Sequence, residues 1–159
     1  MAMEIERKYL VNVELWRPLG SGTLYRQGYL SSNRERVVRV RIVGDHGFLT
    51  VKGATSGISR LEFEYPIPRE DAAIILDELC ERPLIVKTRH REVFAGRAWE
   101  IDVFHGDNDG LVVAEIEVAS PVESIGLPPW VGAEVSNDPR YFNSNLVAHP
   151  YKHWGGNAA

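Results

Sequence analysis

Glu4-Ile5-Glu6-Arg7-Lys8-Tyr9-Leu10-Val11 opens the chain with side chains that alternate in character. Successive side chains of a β-strand point to opposite faces, so Glu4, Glu6 and Lys8 share one face of the predicted strand. Two carboxylates about 7 Å apart on one face repel each other unless a cation lies between them. An ammonium group one step further along can bind the anion that such a cation carries. The stretch therefore predicts a strand that carries half of a metal-and-anion site.

Length and composition favour one soluble globular domain. The chain has 159 residues, of which 44% are hydrophobic and 25% are charged, and this is enough to bury a sizeable core. We expect the domain to span residues 1–149, followed by a polar, glycine-containing tail over residues 150–159. Cys80 is the single cysteine, which excludes an internal disulfide framework and a cysteine-based zinc cluster.

Charge and hydropathy argue against membranes and nucleic acids as partners. No apolar run approaches the roughly 20 residues that a membrane-spanning helix needs, and the acidic start of the chain is unlike a signal peptide. A cytoplasmic location is therefore expected. The formal net charge of −4 argues against general binding to nucleic acid.

The pattern of apolar residues predicts a mainly β fold of the α+β class. Eight strands separated by short loops are expected, and short loops favour antiparallel neighbours. A helix is predicted from Pro68 through Cys80, and a further helix is predicted after Pro139. The predicted strands are Glu4–Val11, Thr23–Ser31, Arg36–Val43, Phe48–Gly53, Ser59–Ile67, Leu84–Ala95, Arg97–Phe104 and Leu111–Ala119.

The charged side chains of these strands segregate by sign. Arg39 and Arg41 form a purely basic pair on one strand, whereas Glu115 and Glu117 form a purely acidic pair on another. A sheet with one solvated face also produces alternation. However, like charges side by side repel, so such pairs are better explained by bound ions of the opposite sign.

A charged face shared by eight antiparallel strands predicts a closed barrel with a polar interior and a few covering helices. Charges buried inside such a barrel must be paired or bound to metal. The basic pairs would bind a polyanion, and the acidic pairs would bind divalent cations. Carboxylate ligands without His or Cys indicate Mg²⁺ or Mn²⁺.

An ordered set of motifs resembles the CYTH superfamily, the triphosphate tunnel metalloenzymes. The opening Glu-x-Glu-x-Lys is the signature of that group, and the resemblance covers nearly the whole chain. It implies an eight-stranded antiparallel tunnel that binds a triphosphate together with divalent metals. The motifs that follow the opening stretch are Arg26-Gln27-Gly28-Tyr29-Leu30, Arg39-Val40-Arg41, Thr50-Val51-Lys52-Gly53, Arg60-Leu61-Glu62-Phe63-Glu64, Lys87-Thr88-Arg89, Glu100-Ile101-Asp102-Val103-Phe104 and Ala114-Glu115-Ile116-Glu117.

The resemblance also implies roles for individual residues. A Lys52–Tyr29 pair would activate water, although Lys52 could instead only bind phosphate. Glu62 is expected to hold Arg60 or a basic neighbour in register rather than to contact metal. The implied metal ligands are Glu4, Glu6, Asp102, Glu115 and Glu117. The implied phosphate-binding residues are Lys8, Arg39, Arg41, Lys52, Arg60, Lys87 and Arg89.

Several functions fit the same tunnel. Metal-dependent hydrolysis of inorganic tripolyphosphate is the first expectation, because the chain resembles the short bacterial inorganic triphosphatases most closely. The alternatives are a class IV adenylate cyclase, a thiamine or nucleoside triphosphatase, and a non-catalytic polyphosphate binder. The partner in each case is a small molecule that contains a triphosphate. The apolar outer face of the barrel leaves a homodimer open.

Overall fold

The computed structural model describes residues 3–154, which form nine strands, two α-helices and three 3-10 turns. The helices are α1 (Arg69–Glu78) and α2 (Asn145–Ala148), and the 3-10 turns are Gly106–Asn108, Pro139–Tyr141 and Tyr151–His153. The strands are β1 (Met3–Val11), β2 (Thr23–Asn33), β3 (Arg36–Val43), β4 (His46–Gly53), β5 (Ser59–Ile67), β6 (Ile85–Phe94), β7 (Arg97–Phe104), β8 (Val112–Glu117) and β9 (Val131–Glu134).

The first eight strands close into an antiparallel barrel. Their order around the wall is β5-β4-β3-β2-β6-β7-β8-β1, and a further pairing of β5 with β1 joins the two edges. That joint has only three residue pairs, in which Met3 opposes Leu61, Glu4 opposes Arg60 and Ile5 opposes Ser59. The predicted eight-stranded closed barrel is thus confirmed.

The ninth strand was not predicted from the sequence. β9 has only four residues and pairs with the last part of β1, next to an irregularity in register between Tyr9 and Val11. A strand this short shows no clear period-2 pattern, so its sequence gives little signal. The predicted helix after Pro139 is also shorter than expected, because it consists of a 3-10 turn and the four-residue α2.

Apolar layers cover much of the outside of the barrel. Helix α1 buries Ala72 and Leu76 against Val40 and Ile42 of β3. On the opposite part of the wall, the buried Trp99 packs among other aromatic and aliphatic side chains, including Trp16 and Trp130 from the connecting segments. The apolar face of each strand therefore points outward, and the charged face points into the barrel.

The C-terminal segment closes part of one end of the barrel. Tyr141, Leu146 and Val147 pack in one cluster with interior side chains that include Phe104 and Val113. Pro150 is buried, and the rings of Trp154 and Tyr141 meet edge-on. The described part of the predicted tail, residues 150–154, is thus packed on the barrel, and the rest of that tail lies outside the described residues. Across residues 3–154, none of the helices has the length and apolar character needed to span a lipid bilayer.

Candidate active site

The barrel encloses a charged chamber with a volume of about 220 Å³. Its lining comes from inward-pointing residues of all eight barrel strands and from the C-terminal segment. Alternation along the strands explains this composition, because every second side chain points inward. Of the residues with predicted roles, the chamber is lined by Glu4, Glu6, Lys8, Tyr29, Arg39, Arg41, Lys52, Arg60, Glu62, Lys87, Arg89 and Glu115.

An aromatic ring separates two of the basic side chains. The guanidinium groups of Arg41 and Arg89 each lie 4.8 Å from the ring centre of Tyr25. Burial, together with the positive charges of Arg39 and Arg89, lowers the pKa of Arg41 to about 9. Arg41 therefore stays charged at neutral pH, and the electron-rich ring between the two cations offsets part of their repulsion.

Asp102 binds two cations of the chamber wall. Its carboxylate accepts hydrogen bonds from Nε and Nη2 of Arg89, at 2.7 and 2.9 Å, and lies 2.7 Å from Nζ of Lys87. Lys87 and Asp102 are almost completely buried. Burial lowers the pKa of Lys87 to about 7, against the opposing attraction of Asp102. Burial also works against the charged form of Arg89, yet Asp102 raises the pKa of that side chain above its ordinary value.

The C-terminal segment contributes a hydrogen-bonding residue to the same wall. Oδ1 of Asn143 accepts from Nζ of Lys87 at 2.9 Å and from Nε2 of Gln27 at 3.2 Å. Oε1 of Gln27 in turn accepts from Nε of Arg41 at 2.9 Å. Asn143 and Gln27 therefore connect two phosphate-binding candidates that lie on different strands.

The acidic side of the chamber is built by β1 and β8. Burial raises the pKa of Glu4 to about 7, and burial and the nearby Glu115 raise the pKa of Glu6 well above its ordinary value. Burial acts in the same direction on Glu115, but Lys8, which lies 3.8 Å away, and the nearby Arg89 hold its pKa below the ordinary range. Neighbouring carboxylates with pKa values moved apart are typical of functional sites.

Lys52 and Tyr29 both line the chamber, but no hydrogen bond joins them in the described part of the chain. Nζ of Lys52 lies 2.8 Å from Glu62 and 3.5 Å from Glu4. The hydroxyl of Tyr29 accepts a hydrogen bond from Gln27 at 3.3 Å. The partner of Glu62 is thus the basic neighbour Lys52 rather than Arg60.

Two of the predicted metal ligands do not line the chamber itself. Asp102 lies on the inward face of β7 but beneath Arg89 and Lys87, which engage both of its oxygens. Glu117 opposes Glu6 across β1 and β8 and lines an adjoining cavity together with Glu4. The metal-binding roles of these residues stay predictions.

The remaining carboxylates fit a hard divalent cation by their chemistry. Among residues 3–154, no three His, Cys, Asp or Glu side chains already converge in the arrangement of a metal site. However, Oε1 of Glu4 is buried without a hydrogen-bond partner, although Nζ of Lys52 lies 3.5 Å from it, and a buried oxygen that lacks a hydrogen bond is costly. Burial and the nearby Glu115 raise the pKa of Glu6 and so favour a proton on this carboxylate in the metal-free chamber. A divalent cation would satisfy the Glu4 oxygen and replace that proton.

Sequence reasoning missed Tyr25, Gln27 and Asn143. Tyr25 and Gln27 share a face with Tyr29 by strand alternation, so that pattern could have found them. Asn143 follows the last barrel strand by 26 residues of mostly irregular chain (positions 117 to 143). No local pattern could have placed it in the chamber.

Several known proteins resemble this chain. An inorganic triphosphatase from Acetivibrio thermocellus is 50% identical over 154 residues, which cover 97% of this chain and 99% of that protein. An inorganic triphosphatase from Nitrosomonas europaea is 35% identical over 148 residues, with 91% and 96% covered. The crystal structure of the inorganic triphosphatase NE1496 superposes with a TM-score of 0.65 at 32% identity, covering 91% of this chain and 97% of the other. Residues 2–151 match the model of the CYTH domain, and the chain therefore belongs to the CYTH domain family.

Proposed function

We propose that this protein is a metal-dependent triphosphatase that hydrolyses inorganic tripolyphosphate inside the barrel. The observation that carries this proposal is the chamber, in which seven Lys or Arg side chains converge in about 220 Å³: Lys8, Arg39, Arg41, Lys52, Arg60, Lys87 and Arg89. Such a density of cations suits a short chain of phosphates. The two inorganic triphosphatases that resemble the chain over more than nine-tenths of its length support the same substrate.

The chain's own residues would mainly bind and orient the substrate. Phosphoryl transfer depends on positioning and charge stabilisation more than on covalent chemistry with the protein. The guanidinium groups of Arg39 and Arg41 can bind phosphate oxygens in pairs. Because Asp102, Gln27 and Asn143 fix Lys87, Arg89 and Arg41 in advance, little reorganisation is needed when the substrate binds.

A divalent cation would be held on the acidic side of the chamber. We propose Glu4, Glu6, Glu115 and Glu117 as its ligands and Mg²⁺ or Mn²⁺ as the cation, because all the donors are carboxylate oxygens. When bound, such a cation neutralises phosphate oxygens and makes water a better nucleophile. For Asp102 we propose a positioning role instead, since both of its oxygens already bind Lys87 and Arg89.

The group that accepts the proton from water is assigned by the resemblance alone. We propose the Lys52–Tyr29 pair for this role, and both side chains line the chamber. Lys52 would have to exchange its contact with Glu62 for one with Tyr29 or water.

Product analysis tests the proposed reaction. Purified protein is incubated with tripolyphosphate, ATP or thiamine triphosphate in the presence of Mg²⁺ or Mn²⁺, and orthophosphate, pyrophosphate and cyclic AMP are measured. We expect orthophosphate and pyrophosphate from tripolyphosphate, and a large loss of turnover in Arg39→Gln. Arg69→Gln is the matched control, because Arg69 is exposed and donates a hydrogen bond to the Gly44 carbonyl on the outside of the barrel.

Other outcomes would replace this proposal. Cyclic AMP and pyrophosphate from ATP, without turnover of tripolyphosphate, would indicate an adenylate cyclase. Tight binding of tripolyphosphate without any turnover would indicate a binding protein.

A further inference from the structure

The charged chamber adjoins two further cavities, one lined mainly by basic and neutral residues and the other mainly by acidic residues. One, the basic mouth, has a volume of about 600 Å³ and is lined by the β2–β3 turn, the β4–β5 loop and the C-terminal segment, with Arg34 and Arg60 as its cations. The other, the acidic mouth, has a volume of about 370 Å³ and contains Glu4, Glu6, Glu100, Glu115 and Glu117.

The two mouths lie at opposite ends of the barrel. Neighbouring strands are antiparallel, so the ends of β2 and β4 lie at the same end of the barrel as the starts of β3 and β5. These strand ends frame the basic mouth. The acidic mouth is framed by the starts of β1 and β7 and the ends of β6 and β8. The chamber shares Arg60 with the basic mouth and Glu4 with the acidic mouth, so each mouth adjoins the chamber.

The basic mouth has positive charge without compensating carboxylates. Within residues 3–154, Arg34 makes no ion pair and Arg60 bonds only the Gly53 carbonyl. Glu35, the one acid in this cavity, lies 3.7 Å from Arg36. The rest of the lining is mostly small or polar, as in Asn33 and Ser144. A phosphate chain can therefore pass through this mouth without meeting a free negative charge.

The acidic mouth instead carries negative charge that its two arginines do not fully compensate. Its two arginines are already paired, Arg91 with Glu100 at 3.7 Å and Arg97 with Glu123. Glu6 and Glu117 face each other across β1 and β8 and have no basic partner in the described structure. A free polyanion is repelled at this end, and cations bound by these glutamates would occupy the passage.

We propose that the chamber and its two mouths form a directional tunnel, so that the anionic substrate enters through the basic mouth while the acidic mouth admits cations. This inference rests on the proposed triphosphatase function. Charges at the opening of a cleft raise the local concentration of an oppositely charged ligand and speed its association, and salt screens the effect. Arg34 is the residue that should matter most for access, because it is exposed and unpaired.

Charge reversal at each mouth tests the proposal. Arg34→Glu and Arg91→Glu change the charge by the same amount at opposite ends of the barrel, and Arg69→Glu does so on the outside of the barrel. For Arg34→Glu we expect kcat/KM for tripolyphosphate to fall about fivefold or more at low salt, through KM, with the difference shrinking toward zero near 0.5 M salt. For Arg91→Glu and Arg69→Glu we expect changes of about twofold or less at saturating metal.

The association rate constant of metal-free protein for tripolyphosphate, measured by stopped-flow mixing in the same variants, gives a second reading that needs no turnover. We again expect a large decrease for Arg34→Glu and small changes for Arg91→Glu and Arg69→Glu. Equal losses in Arg34→Glu and Arg91→Glu, or a loss in Arg34→Glu that persists at high salt, would overturn the directional tunnel. If the wild-type protein binds tripolyphosphate but does not hydrolyse it, the proposed function fails and the comparison of association rate constants still decides the route of access. If it does not bind tripolyphosphate at all, both proposals fail.

Discussion

The buried carboxylate of Glu4 makes the stability of the protein depend on pH. Its pKa is about 7 in the folded chain, compared with an ordinary value of 4.5. Between these values the folded state keeps a proton that the unfolded state has lost, so stability falls as the pH rises from about 4.5 to 7. Above pH 7 the folded state bears the full free-energy cost of a charged Glu4 carboxylate. That cost arises because burial disfavours the charged form.

We therefore expect Glu4→Gln to stabilise the metal-free protein at pH 8, by on the order of 1–3 kcal/mol, and to have little effect near pH 4.5. Urea unfolding at both pH values measures the difference. Glu14→Gln, at an exposed site outside the barrel, is the control. Equal stabilisation of Glu4→Gln at both pH values would contradict the assigned cause. The same variant should also bind Mg²⁺ or Mn²⁺ more weakly, if Glu4 is a metal ligand.

The proposed role of Tyr29 in activating water can be tested by a single substitution. If its hydroxyl takes part in activating water with Lys52, Tyr29→Phe should lower kcat by tenfold or more, as loss of a general acid-base group does, and should change the pH profile of kcat. KM for tripolyphosphate should change little, because Phe keeps the ring in its buried position. Wild-type turnover with an unchanged pH profile would remove the tyrosine from the mechanism.

Residue by residue, strand alternation accounts for most of the chamber lining that the sequence predicted. It places Arg39 and Arg41 inward, and the structure does the same. It could not reveal that Asp102, although on the inward face, lies beneath Arg89 and Lys87, because the depth of a side chain depends on contacts across strands.

Among the elements, the C-terminal segment both packs on the barrel and lines the chamber. Asn143 is the acceptor for Lys87 and Gln27, so Asn143→Ala leaves two buried donors without it. One lost hydrogen bond of this kind costs about 1 kcal/mol, and we expect KM for tripolyphosphate to rise about three- to tenfold, with kcat changed less.

Asn143→Gln is the informative partner variant, because it keeps an amide acceptor oxygen without adding a charge and should restore KM toward the wild-type value. Circular dichroism should show the same fold for both variants. If the two variants raise KM equally, Asn143 supports the segment and not the orientation of Lys87.

The sequence predicted the main elements well where their patterns are long. The bounds of β3, β5 and β7 agree with the predicted strands, whereas α1 ends at Glu78 rather than at Cys80. β9 and α2 have four residues each and form where tertiary contacts support them. Elements of that length have too few residues for a period to be recognised.

For the whole molecule, binding of substrate should couple to thermal stability. A ligand that binds only the folded state stabilises it by about 2.7 kcal/mol at 100 times its Kd. We expect tripolyphosphate with Mg²⁺ to raise Tm by several degrees, and tripolyphosphate with a chelator to raise it less, because the uncompensated glutamates repel the anion. Orthophosphate at the same concentration is the control. An equal shift with and without Mg²⁺ would contradict a metal on the acidic side.

Barrel closure itself was predictable from eight short-looped strands with one charged face. The register at which β1 meets β5, and the different lining of the two mouths, were not predictable. They depend on how far the strands are staggered around the barrel, and no single strand encodes that stagger.

The short pairing between β1 and β5 should make the barrel open locally at this point. Its three residue pairs are few compared with the eight that join β2 and β3, so this joint should open at a lower free energy than the rest of the wall. Glu4 and Arg60 oppose each other there, and both line the chamber. Metal bound by Glu4 and phosphate bound by Arg60 would therefore hold β1 and β5 together from inside the barrel. We expect the amide hydrogens of residues 59–61 to exchange with deuterium early in the free protein and to gain more protection with tripolyphosphate and Mg²⁺ than the amides of β2 and β3. Bound substrate would then stabilise the closed barrel at the pairing of β1 with β5.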